Sequence, residues 1–89
     1  MAEDIIIDDH AYKHGLIERE IRYAWEHFVR MLHRGSPREG QILVVGIDPL
    51  GRFVQMVAVE RPQGILVFHA MRPPTRNALL ELGLVRGKT

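Results

Sequence analysis

The hydrophobic positions of the chain follow two rhythms. From Ile17 to about His33 they fall at Ile17, Ile21, Ala24, Trp25, Phe28 and Leu32, the spacing that gathers apolar side chains on one face of a helix. Glu18, Arg19, Arg22, Glu26 and Arg30 lie largely on the opposite face. Glu18–Arg22 and Glu26–Arg30 are four apart with the acid first, an order that adds about 0.2–0.5 kcal/mol per pair. Trp25 and Phe28, on the stripe, read as core, whereas His27 and His33 read as surface positions. Tyr12 and Tyr23 read as edge-of-core groups whose rings are also able to stack on a base. RGSPREG then breaks the helix. Ahead of it, Asp8 and Asp9 suit the cap of a short helical turn through DHAYKHG, and Gly15 suits its end. The apolar run within Asp4 to Ile7 offers an extra strand that would pair at a sheet edge.

After the break the rhythm changes to three short apolar stretches, QILVVGI, RFVQMVAVE and GILVFHAM. Asp48-Pro49-Leu50-Gly51 separates the first two and Arg61-Pro62-Gln63-Gly64 the second and third. Proline second and glycine fourth is the type I turn preference, and connections this short join antiparallel neighbours. Gly46, inside an otherwise β-branched strand, marks a bulge or a close approach of two chains. Pro73 and Pro74 cannot continue a central strand, but one fits the first turn of a helix. TRNALLELG then predicts a short helix closed by Gly83, and VRGKT a frayed tail. The expected fold is α+β and a single domain over residues 1–89. A short helix and a long amphipathic helix pack on a three- to four-stranded antiparallel sheet, followed by a short C-terminal helix.

Composition changes this picture in few places. A domain of 89 residues has little stability in reserve, so association with a partner subunit or another copy is compatible with its size. There is no cysteine, which removes disulfides and thiolate metal sites. The acidic start MAEDIIIDDH has an apolar run of only three, neither a signal peptide nor a membrane span, so a cytoplasmic location without membrane partners is expected. Charge is unevenly spread. Residues 1 to 26 carry seven acids against three bases, and residues 27 to 89 nine bases against four acids. The basic remainder suits an anionic partner, RNA among them, and equally suits a solvated mixed surface.

Candidate chemistry gathers at VFHAMRPPTR. Metal-free RNA cleavage needs a base for the 2′-hydroxyl, an acid for the leaving oxygen and cations for the transition state. Histidine serves near neutral pH, and arginine holds phosphate by paired hydrogen bonds. His69, Arg72 and Arg76 are close in the chain, and Lys13 and His14 approach from the first helical segment. For each, packing or solvation is the competing reading. His10 and His14 are four apart, a helical metal-pair spacing. Ala-Tyr-Lys between them holds no general-base glutamate, and Lys13 repels a cation, so neither metal nor cofactor is expected. No serine or cysteine nucleophile has a suitable setting, and no glycine loop to cradle phosphate is present.

Three local matches resemble the BrnT-type toxins, a branch of the RelE/ParE toxin superfamily of bacterial toxin–antitoxin systems. Lys13-His14-Gly15, followed by an apolar residue and an acidic helix start, resembles that group's amino-terminal segment. Gly51-Arg52 between two strands is similar to its central hairpin. Ala70, Arg72, Thr75 and Arg76 resemble its strand end. The likeness spans about residues 8 to 80. It implies a sheet covered by helices on one face and a small ribonuclease-like growth inhibitor, or translation inhibitor, neutralised by a DNA-binding antitoxin. The candidate site, His69, Arg72 and Arg76 with His14 and Lys13, comes from the residue chemistry above; at His69 the group more commonly has a small polar residue. The chain departs from the pattern at Met71, where the group usually places arginine directly after the alanine. A non-catalytic interaction domain of the same fold is the alternative expectation.

Overall fold

The computed structural model describes residues 5–85. The expected Asp4 end of the first strand and the tail after residue 85 lie outside that range. Within it, strands β1 (Ile5–Ile7), β2 (Phe28–His33), β3 (Gln41–Ile47), β4 (Phe53–Arg61) and β5 (Gly64–Met71) form one sheet with two helices, α1 (Glu18–Glu26) and α2 (Arg76–Glu81). The sheet order is β1-β5-β4-β3-β2. Strands β2 to β5 form an antiparallel meander. β1 lies at the expected edge, but parallel to β5, so the sheet is mixed and five-stranded.

The expected long helix is corrected. It ends at Glu26, and Phe28–His33 is an edge strand. His27 leaves helical geometry at φ −112°, ψ 44°. Arg30 makes no pair with Glu26; its guanidinium donates to the Leu82 carbonyl at 3.1 Å. The i, i+4 stripe misled because FVRMLH also fits a strand with apolar residues on both faces. Met31 joins the core under α1, and Leu32 the opposite one. Phe28, expected as core, is 50% exposed, because the chain turns away from α1 before reaching it. Trp25 is buried as expected. Of the two expected helix pairs, Glu18–Arg22 forms at 2.8 Å with both ends exposed, worth about 0.3–0.5 kcal/mol.

Helices cover both faces of the sheet, not one. On the first face, Ile21, Ala24 and Trp25 of α1 and Ala11 pack on Ile42, Val44, Val54 and Met56. On the second, Ala78 and Leu82 of α2 pack on Leu43, Val45 and Val57. The first helical segment is a 3₁₀ turn over Asp9–Tyr12, capped by Asp8, which accepts from the His10 N–H at 3.0 Å. α2 is shorter than expected, starting after Thr75, whose Oγ1 accepts from the Ala78 N–H at 3.1 Å. Both prolines precede it.

Gly46 marks a close approach. A Cβ placed on it would lie 1.9 Å from the Ala24 carbonyl oxygen, so the backbone of α1 rests on the backbone of β3. Gly46→Ala must push the helix off the sheet. The expected loss lies at or above the upper end of about 1–3 kcal/mol, measured by denaturant unfolding. A loss below about 0.5 kcal/mol would refute the contact.

Candidate functional site

Strand β5 carries one residue more than its partner requires. Val57 pairs with His69 while Ala58 pairs with Val67, leaving Phe68 as a bulge. Plain alternation would send Val67 and His69 to the same face. With the extra residue, Val67 and Ala70 both enter the α1-side core. Phe68 packs on the α2-side core, and His69 lines a cleft with Phe68 and Val57.

This open cleft has a volume of about 500 Å³. Its floor is β4 and β5, with Gln55 and Val57 beside Phe68 and His69. His10, Lys13 and His14 wall one side, and Arg34, Arg38 and Gln41 the other. Among the described residues, no acid lines it. The rings of His14 and His69 meet edge to face, 5.4 Å between centroids at 74°. Burial pushes the His69 pKa down, and the neighbouring His14 pushes the same way, so the imidazole stays neutral at lower pH than an ordinary histidine. Arg34 is committed: it grips both oxygens of Glu81 at 2.9 Å and donates to Gln41 Oε1 at 2.9 Å. That guanidinium holds the Glu81 carboxyl below its usual range.

Three expected site residues, Lys13, His14 and His69, therefore meet. The two arginines are elsewhere. Arg72 follows Ala70 onto the α1 side, where its Nη1 donates to Glu20 Oε2 at 3.0 Å and to Asp48 Oδ2 at 2.9 Å. Asp48 is 1% exposed and is the centre of this network. Its Oδ1 accepts from the N–H groups of Leu50 and Arg52, and its Oδ2 from Arg52 Nε at 2.8 Å. Burial raises the Asp48 pKa, but the Arg52 N–H and guanidinium and the Leu50 N–H outweigh it, leaving the carboxyl below its ordinary range. Glu20 is likewise held low, first by the Ile17 N–H and also by Arg72. Arg76 is exposed at the start of α2 and does not line the cleft.

His10 lines the cleft beside His14, yet no three His, Cys, Asp or Glu among the described residues are grouped to hold a metal ion. Tyr12 packs against the core and Tyr23 stacks on His27 at 4.0 Å, so neither ring joins the site. Gln41, Gln55, Phe68 and Arg38 were not singled out from the sequence. The one signal for Gln55 is a polar residue in the middle of an apolar strand.

No protein-family model, curated protein or solved structure matches the chain. Among the described residues, no helix is long and apolar enough to cross a membrane.

Arg72 is thus a structural cation. Arg72→Met removes the guanidinium that Glu20 and Asp48 share and should lower the thermal midpoint, while Arg76→Met changes stability by less than about 0.5 kcal/mol. Because Asp48 and Glu20 are held low, their contribution is present above the unfolded carboxyl pKa of about 4 and is lost as pH falls through the folded values. Asp48→Asn should therefore show a smaller drop in thermal midpoint than the wild type on going from neutral pH to about pH 3. Parallel pH curves would contradict this.

Proposed function

We propose that the chain is the toxin-like component of a bacterial toxin–antitoxin pair, of the BrnT branch of the RelE/ParE group, and that it cleaves RNA without a metal. The carrying observation is the His14–His69 contact in a cleft that also presents Lys13 and Arg38. Neutral His69 takes the proton of a ribose 2′-hydroxyl. The 2′-oxygen then bonds to phosphorus as the bond to the 5′-oxygen breaks, and His14 or Lys13 returns a proton to the leaving oxygen. The products are a 2′,3′-cyclic phosphate and a 5′-hydroxyl. Lys13 and Arg38 offset the charge that builds on the phosphate oxygens. Blockage of translation follows from loss of messenger RNA, and a cognate antitoxin that covers the cleft silences it. The site is assigned to the cytoplasm, where both RNA and antitoxin are found.

A second reading has its own observation. Arg72, whose chemistry suits it to hold a phosphate, is held between Glu20 and Asp48. On that reading the domain keeps the fold and a partner surface but has lost nuclease chemistry.

Expression without a partner separates the two. The nuclease reading expects growth arrest, relieved by His69→Ala with the thermal transition retained. In purified protein His69→Ala should lower kcat/KM for RNA by about 10²–10⁴-fold. Because a base acts when deprotonated and burial pushes His69 down, the rising limb of the wild-type pH–rate profile should fall below the ordinary histidine value of about 6.5. Normal growth, or a profile unchanged by the substitution, would support the interaction domain instead.

A further inference from the structure

The chain holds three glutamines, Gln41, Gln55 and Gln63, and two of them line the cleft. A side-chain amide offers one acceptor oxygen and two N–H donors. In both cleft glutamines the oxygen is already taken. Gln55 Oε1 accepts from the Thr75 N–H at 2.9 Å and from Thr75 Oγ1 at 3.3 Å. Gln41 Oε1 accepts from Arg34 Nη1 at 2.9 Å. These bonds fix which end of each amide is which. Gln55 is only 7% exposed, and its Nε2 has no partner among the described residues. No sealed polar side-chain atom there lacks a partner, so this N–H pair meets the outside through the cleft that Gln55 lines.

The free groups of the wall are thus almost all donors: two amide NH₂ groups, the Lys13 ammonium and the Arg38 guanidinium, with imidazoles between. A ligand that donates hydrogen bonds finds few acceptors here, whereas one whose oxygens only accept is matched throughout. The spacing narrows the class further. In the register, Gln55 pairs with Val45 and Gln41 with Val59, so the two amides stand four residues apart along the strands, roughly 13–14 Å. That is several times the width of one phosphate. Val57 and its partner His69 lie midway, with Phe68 beside them.

We infer that the cleft holds an extended single-stranded phosphodiester chain, with Gln55 and Gln41 each donating to a phosphate on either side of His69 and with Phe68 against a base. The inference rests on the reading of this cleft as the working site, and it makes the two glutamines positioning residues for the nucleic acid.

The test is binding without cleavage. The probe is a single-stranded DNA of about six nucleotides, which has no 2′-hydroxyl to attack, compared with inorganic phosphate at matched ionic strength. Binding is followed by NMR on the side-chain amide signals, with Gln63 as the internal control. The oligomer should shift both Gln41 and Gln55 saturably, leave Gln63 in place, and bind more tightly than phosphate. Gln55→Glu and Gln41→Glu keep the oxygen that Thr75 or Arg34 uses but turn the donor into an acceptor. Each should weaken oligomer binding roughly tenfold or more, with Gln63→Glu unchanged. If Gln55→Glu fails to fold, Gln41→Glu, at a half-buried position, carries the comparison. Equal affinity for phosphate and oligomer, shifts spread evenly over all three glutamines, or unimpaired binding by both variants would overturn the inference. Saturable binding of this kind by a protein that leaves the corresponding RNA intact would remove the ribonuclease reading alone. RNA cleavage with both glutamine variants at wild-type KM would remove this inference alone.

Discussion

One extra residue in β5, set between pairs that Val57 and Ala58 make with their partners, decides where the chemical groups at its end point. Val67 and Ala70 both need burial under α1, and only an added residue lets positions three apart share a face. Phe68 and His69 are thereby turned together to the opposite side. Ala70 and Arg72 then return to the α1 side, which brings the guanidinium to Glu20 and Asp48. Plain alternation sets His69 and Arg72, three residues apart, on opposite faces; the bulge decides which face each one takes, giving the histidine to the cleft and the arginine to the structural network.

The two sides of the sheet use charge in opposite ways. Around Asp48 every charge is answered: a buried carboxylate receives two N–H groups and two guanidiniums, one of which also reaches Glu20. A buried carboxylate is tolerable only when matched so fully. It fixes the β3–β4 turn, the start of α1 and the end of β5 to one another. In the cleft, by contrast, Lys13 and Arg38 face a wall without acids among the described residues. Arg34 is neutralised by Glu81, a carboxylate whose charge Arg38 also feels from nearby, and a third nitrogen of Arg34 orients Gln41. Such an unbalanced, donor-rich surface suits an anion supplied from outside.

Backbone packing sets the remaining geometry. Because Gly46 lets α1 lie directly on β3, the helix reaches the sheet early and ends at Glu26. The chain is then free to form β2 along the edge. Arg30 crosses to the Leu82 carbonyl and Arg34 to Glu81, tying that edge strand to α2 and leaving the open part of the face between α2 and the His10–His14 segment.

The sequence by itself determined the features with local causes. The two proline–glycine turns, the Asp8 cap and the three central strands follow from residues within a few positions of one another; the sequence offered an extra edge strand ending at Ile7 and a bulge or close approach at Gly46, and only β5 and Ala24 of α1 decided these. It also marked Lys13, His14 and His69 as groups with suitable chemistry. Tertiary structure decided whatever depended on a distant partner. The segment Phe28–His33 satisfies helix and strand patterns alike, and only pairing with β3 selects the strand. His69 and Arg72 lie in a run whose alternation is readable but whose bulge is not, because the bulge answers to the fit of β5 against β4 and α1. The roles of Gln41 and Gln55 depend on which end of each amide Arg34 and Thr75 occupy, and spacing along the chain carries no trace of that.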